Sequence, residues 1–184
     1  MLVLVIITGM FSTKKTKRVY RSKWLTVYED LVQGKNGKLD TFNRIRSHDF
    51  VEIVPILKDG SVLMVKNFRY GARAEILELP AGHIEKNEKP RTCAKRELLE
   101  ETGYTCSSLI SKGWLYSWPA RSNQKAYVFV ARGLEPTFNQ SLDDFEYIKI
   151  AKVPRNQVAR KMRNGQIKNP YAIAALTLAG LRKS

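Results

Sequence analysis

The stretch "ELPAGHIEKNEKPRTCAKRELLEETGY", Glu78 to Tyr104, is where the chain changes its period. Ahead of it the pattern is that of strands; within it Pro80 and Gly82 mark a loop, and Pro90 then suits the first turn of a helix. The residues up to Thr102 are mostly good helix formers, and Gly103 can take the left-handed conformation that ends one. The loop therefore runs into a helix with both ends locally specified.

On such a helix each residue turns about 100°, so Glu97, Glu100 and Glu101 fall within an arc of about 100° and about one turn of rise. Like charges at this spacing destabilise a helix by a few tenths of a kcal/mol per pair, so something cationic should offset them. Lysines could do so, and a charged outer face is the blander account. An all-oxygen set without Cys or His is also what Mg²⁺ or Mn²⁺ prefers, above all when the metal binds phosphates as well.

The rest of the chain is basic. Its 184 residues carry 32 Lys plus Arg against 17 Asp plus Glu, +15 at pH 7, which favours anionic partners: nucleotides, nucleic acid or an anionic surface. No zinc-finger spacing, ribonucleoprotein motif or long basic run interleaved with aromatics favours nucleic acid. Two cysteines, Cys93 and Cys106, are too few for a disulfide framework and imply a reducing compartment, the cytoplasm. The apolar "MLVLVIITGMF" is too short to span a bilayer and reads as a first strand, with the basic Lys14 to Arg18 after it.

Strand signals continue through "VYRSKWLTVYEDLVQ", closed by the turn "GKNGK", then "TFNRIR". "FVEIVPIL" and "VLMVKNFRY" read as two strands around a tight Asp59-Gly60 turn, and "EILEL" as a short one. After the helix come "GWLYSW", "KAYVFVARGL" and "YIKIAKV", a helix from about Asn156 to Asn164, and a last one after Pro170, apolar at Ile173, Leu176 and Ala179. This order predicts an α+β fold or a sheet sandwiched by helices.

The spacing of Gly82, Glu88, Arg96-Glu97-Leu98, Glu100-Glu101, Gly103 and Tyr104 resembles the complete Nudix box. Seven fixed positions at about 6% each give a chance match on the order of 10⁻⁷ to 10⁻⁶ over all start points. The resemblance implies an α/β/α sandwich around a mixed sheet, and a loop-helix-loop that holds a divalent cation against a diphosphate. Carried over residue by residue, it makes Glu97 and Glu101 metal ligands, Glu100 a third ligand or water-orienting group, and the Ala81 carbonyl a backbone ligand. Glu88 and Arg96 become an internal pair tying loop to helix. Gly82 and Gly103 serve backbone conformation and close approach, with Gly82 also set beside the substrate.

"VKNFRYGARAEILELPAGHIE" is similar to the ADP-ribose pyrophosphatase branch, with Asn67 in place of a glutamine. Arg69 matches its phosphate-contacting arginine. "YSWPARSNQKAYVFVA" resembles that branch's next segment, with Pro119 fifteen residues after Tyr104, Ala120 for a glycine and Gln124 for a glutamate. The acidic loop "SLDDFEYIKI" resembles the one that supplies a water-activating carboxylate, Glu146 first, then Asp143 and Asp144. Trp24 and Phe42 stand where relatives sandwich an adenine, one from each subunit of a homodimer, or else form the core of the hairpin. The organisation implied is a segment 1–18, an N-terminal β subdomain 19–47 and a hydrolase domain 48–184.

The function expected is Mg²⁺- or Mn²⁺-dependent hydrolysis of ADP-ribose, or a similar nucleoside diphosphate sugar, to AMP and ribose 5-phosphate. The alternatives are another Nudix substrate, such as a different sugar nucleotide, a dinucleotide or capped RNA, and a non-catalytic basic RNA- or membrane-associated module.

Overall fold

Among the described residues, β-branched and aromatic runs form the strands, and proline starts two of three helices. A computed structural model describes residues 10–137, 140–142 and 147–182. In chain order the elements are β1 (Phe11–Arg21), β2 (Leu25–Gly34), β3 (Leu39–Ser47), β4 (Phe50–Pro55), β5 (Val62–Arg69), β6 (Ala74–Glu78) and β7 (Ala81–His83). There follow α1 (Pro90–Thr102), β8 (Tyr104–Tyr116), β9 (Lys125–Pro136), β10 (Ile148–Val153), α2 (Arg155–Arg163) and α3 (Pro170–Leu178). The fold is α+β with a mixed sheet, as the element order predicts. The described residues form two compact units: one is residues 10–48 together with Tyr116–Gln124, the other Asp49–Leu115 together with the described residues from Lys125 on.

The smaller unit is built on an antiparallel sheet, β1-β2-β3. The run read as one strand before "GKNGK" is cut at Ser22, whose hydroxyl accepts the N–H groups of Trp24 and Leu25 and folds β1 back on β2. β1 starts at Phe11, so the boundary expected between residues 18 and 19 falls inside a strand. Every residue of β1 is exposed, which is why no apolar alternation betrayed it. Tyr116–Gln124, expected in the hydrolase domain, joins this sheet instead: the Ile45 N–H donates to the Arg121 carbonyl at 2.7 Å, and Ile45 bridges Ser122 in parallel.

In the larger unit β4 is central. It runs parallel to β9 and antiparallel to β7, giving the order β7-β4-β9-β8, while β10-β5-β6 form a second, antiparallel sheet. The Asp59-Gly60 turn is present, with Gly60 at φ 81°, yet β5 does not return along β4 as a hairpin. Both edges of β4 are already taken by β7 and β9, so beyond one bridge, Ile56 to Val62, β5 leaves for the other sheet.

Alternation along β4 separates two apolar clusters. Val51 and Ile53 pack with Cys93, Ala94 and Leu98 of α1 and with Phe129 of β9. Val54 points the other way, into Met64, Leu79, Val130, Ala172 and Leu176, where α3 lies. Both faces of β4 are thus covered, as an almost continuous apolar run requires. Burying Cys93, Ala94 and Leu98 fixes the roll of α1, and with it where the glutamates fall. Gly103 ends α1 in the left-handed conformation, φ 68°, its N–H on the Leu99 carbonyl.

Candidate active site

The loop from β7 to α1 and one flank of α1 form the candidate site. Glu97 and Glu101 are 9% and 3% exposed, whereas the Glu100 side chain is 40% exposed. Glu101 Oε2 accepts the Ala81 N–H at 3.1 Å, tying the helix to β7. Gly82 lies directly beneath Glu97: a Cβ there would come within 1.9 Å of its Oε1. Its φ is not left-handed, so closeness of approach and not backbone conformation demands glycine at this position.

The cation among these carboxylates is Arg96. Its Nη1 donates to Glu97 Oε1 at 2.7 Å and Glu100 Oε2 at 2.9 Å. Nε and Nη2 grip the two Glu88 oxygens, each at 3.0 Å, and Nη2 also reaches the His83 carbonyl. The hydrogen bond from Arg96 holds the Glu88 carboxyl below the usual carboxylate range, and the same bond makes the Arg96 guanidinium still harder to deprotonate. Arg96 and Glu88 do join loop to helix. Burial pushes the Cys93 thiol well up, so it packs as an inert apolar group.

The three carboxylates read from the helix are therefore not gathered as a cage: among the described residues no three His, Cys, Asp or Glu side chains stand at metal-holding spacing. Arg96 draws Glu97 and Glu100, and the Ala81 N–H holds Glu101. The donors nonetheless suit a hard divalent cation. All are oxygens, two are buried carboxylates, and a rotation of the Glu97 and Glu100 side chains away from Arg96 would free them.

Arg69, at the end of β5, places Nε and Nη2 on Glu78 Oε1, each at 2.7 Å. Glu78 is 1% exposed, and its Oε2 accepts the Asn169 Nδ2 at 2.8 Å. Asn169 also caps α3, accepting the N–H groups of Tyr171 and Ala172. Glu52 on β4 is buried too, and burial first, then Glu78, raises its carboxyl well above the ordinary range. Glu52, Glu78 and Asn169 were not among the residues singled out in the sequence. A charge inside the apolar run "FVEIVPIL" was the available signal for Glu52, and Asn before Pro170 for the cap.

In the smaller unit, Trp24 and Phe42 are exposed, 60% and 41%, and so do not form a hairpin core. Phe42 packs against Phe11 with ring centroids 5.9 Å apart, and Lys23 Nζ sits 4.6 Å from the Trp24 ring. Pro119 lies exposed on the Tyr116–Gln124 segment. Gln124, where relatives were expected to carry a glutamate, closes that segment: its Oε1 accepts the Ser117 hydroxyl at 2.8 Å and its Nε2 donates to the His48 carbonyl. A carboxylate could not make the second bond. Asp143, Asp144 and Glu146 lie outside the described residues. The segment leading to them is anchored on the end of α1, with Ser141 N–H on the Glu100 carbonyl and Gln140 Nε2 on the Glu101 carbonyl.

Residues 47–173, most of the chain and including every residue of the loop and α1 just described, match the NUDIX domain family. This chain is a Nudix hydrolase. Among proteins similar to it, the ADP-ribose pyrophosphatase of Bacillus subtilis is 30% identical over 88% of this Nudix chain and 90% of its own length. The ADP-sugar pyrophosphatase of Mus musculus is 27% identical, over 78% of this chain and 73% of its own. A crystal structure of an ADP compounds hydrolase superposes with a TM-score of 0.82 over 94% of the Nudix chain and 93% of its own, at 24% identity, a likeness of fold. Among the described residues no helix is long and apolar enough to cross a membrane.

Proposed function

We propose that the chain hydrolyses the diphosphate of ADP-ribose, or of a similar nucleoside diphosphate sugar, releasing AMP and ribose 5-phosphate. The observation that carries this reading is the pair of buried carboxylates, Glu97 and Glu101, set against the Ala81-Gly82 loop. Relatives named for ADP-ribose and ADP-sugar hydrolysis support the substrate class. Glu97, Glu100, Glu101 and the Ala81 carbonyl would hold a divalent cation, Mg²⁺ or Mn²⁺, which when bound would supply Lewis-acid charge neutralisation for the diphosphate and the attacking water.

The protein's own groups do the rest. Arg96 keeps Glu97 and Glu100 charge-balanced until ligand arrives, and Glu88 retains its hold on Arg96 when they turn away. Arg69, fixed by Glu78 at the end of β5, offers a planar, permanently charged fork to the diphosphate. Trp24 and Phe42, one from each subunit of a homodimer, supply flat faces for the adenine. Of the acidic loop, Glu146, Asp143 or Asp144 takes the proton of the water that attacks phosphorus, while the phosphoanhydride oxygen leaves with its electron pair. The anchoring of residues 140 and 141 on the end of α1 supports that role.

The test is incubation with ADP-ribose with and without Mg²⁺, products identified by mass. AMP and ribose 5-phosphate, formed only with the metal, are expected. Hydrolysis of a dinucleotide or capped RNA in preference to ADP-ribose would overturn the substrate assignment, and no hydrolysis of any diphosphate would overturn the reading altogether.

A further inference from the structure

Asn169 uses both ends of its side-chain amide. Its Oδ1 accepts the N–H groups of Tyr171 at 2.9 Å and Ala172 at 3.2 Å, which caps α3, and its Nδ2 donates to Glu78 Oε2 at 2.8 Å. Two backbone donors on the oxygen leave the amide nitrogen for the carboxylate, so chemistry settles which way the group points. Pro170 disfavours a helical backbone at the residue before it, and Asn169 is extended, φ −68° and ψ 118°. α3 is itself anchored in the core through Ala172, Ala175 and Leu176. The Nδ2 donor is therefore held in place by the cap, by the backbone and by the packing of the helix.

A cap alone does not need that nitrogen, since Ser, Thr or Asp serves the first turn of a helix comparably well. What the amide adds is one donor aimed at Glu78, a carboxylate that is 1% exposed. Arg69 places Nε and Nη2 on the same oxygen of Glu78, Oε1, each at 2.7 Å, rather than one on each oxygen as in a bidentate pair. The second oxygen belongs to Asn169. A carboxylate gripped by one oxygen can still turn about its terminal bond, whereas a donor on the other oxygen fixes its plane. That plane is thus set from α3, and it sets in turn how Arg69 lies. Among the described residues Nη1 of Arg69 has no hydrogen-bond acceptor, and the side chain is 45% exposed, so this edge is open to an anion.

We propose that Asn169 is a positioning residue: acting through Glu78, it holds the Arg69 guanidinium in the orientation that presents Nη1 to the diphosphate. This rests on the reading of Arg69 as the phosphate-contacting arginine, but the first test needs no substrate. Arg69 would give a slowly exchanging Nε–H signal in a ¹⁵N NMR spectrum, assigned by its loss in Arg69→Lys. Asn169→Ser keeps an oxygen for the cap and removes the donor to Glu78, so the Arg69 signal should shift or broaden. Asn169→Asp caps as well, sets an acceptor against Glu78 and should do the same, which keeps the test open if the serine protein does not fold. Thr177→Gly weakens α3 near its other end and should lower the melting temperature with the Arg69 signal unmoved.

With ADP-ribose, Asn169→Ser should raise KM roughly tenfold and leave kcat within about threefold, since an interaction common to ground and transition states is lost. In an Arg69→Lys background, where the fork is gone, the same substitution should change KM by less than about threefold, because both residues act on one contact. An Arg69 signal unchanged in both Asn169 variants would overturn the proposal, as would one moved equally by Thr177→Gly. A full tenfold effect on KM in the Arg69→Lys background would overturn it too, showing that Asn169 acts by another route. If the wild type leaves ADP-ribose intact, the substrate reading fails, and the NMR result alone decides the role of Asn169.

Discussion

Replacing Gly82 by alanine adds one methyl group at the point of closest approach between β7 and α1. The new Cβ would lie 1.9 Å from Glu97 Oε1, 2.0 Å from its Cδ and 2.3 Å from Oε2, against 3.4–4 Å for ordinary contact. Every blocked atom belongs to the end of a flexible side chain, so β7 and α1 keep their places and the Glu97 carboxylate withdraws instead. It must retreat by about 1.5 Å, whereas metal–ligand distances tolerate only about 0.2 Å. The methyl group occupies the space between the Ala81-Gly82 loop and Glu97, which Glu97 needs in order to turn from Arg96 toward the Ala81 carbonyl, and a misplacement of this size costs on the order of 100-fold in turnover. The assay is AMP release from ADP-ribose across a Mg²⁺ titration, with thermal melting as the control. A rate at least about 100-fold lower, a higher Mg²⁺ requirement and a melting temperature within a few degrees of wild type are expected. A Gly82→Ala enzyme within threefold of wild type at the same Mg²⁺ half-saturation would show that Glu97 has no part in holding metal.

Glu101→Gln keeps an oxygen for the Ala81 N–H but removes the charge; turnover should fall by roughly 10²–10³-fold with melting little changed, measured on the same AMP release. Glu88, whose carboxyl Arg96 holds below its unfolded value, contributes stability that is complete above the unfolded pKa and is lost as pH falls through the folded one. Glu88→Gln should therefore melt below wild type at pH 7, and the two curves of melting temperature against pH should converge as pH falls below about 4. Gly103→Ala forces a side chain into the left-handed cap of α1, φ 68°, at about 1–2 kcal/mol. Melting should drop by several degrees while activity per folded molecule stays near wild type.

Much of the fold was written locally. Pro90 and Gly103 set the ends of α1 because each acts through its own backbone, and the Asp59-Gly60 turn formed for the same reason. The arc shared by Glu97, Glu100 and Glu101 is a property of helical period, so no tertiary contact was needed to see it. The segment around β1 was harder: an edge strand with both faces in water has no apolar rhythm to detect. The departure of β5 from β4 was not legible either, because which edge is open depends on β7 and β9, and β9 arrives from far along the chain.

The site divides in the same way. Spacing alone marked the loop-helix unit, its glutamates and Arg96, since their relative angles follow from the helix. That Arg96 sits between Glu88, Glu97 and Glu100, that Gly82 is glycine because a carboxylate lies over it, and that Gln124 clamps Ser117 to His48 came from packing. So did the burial of Glu52 within an apolar strand. Residue order fixes local geometry through a few repeating backbone angles, whereas contacts between distant segments depend on which faces and edges remain available once the whole chain has collapsed.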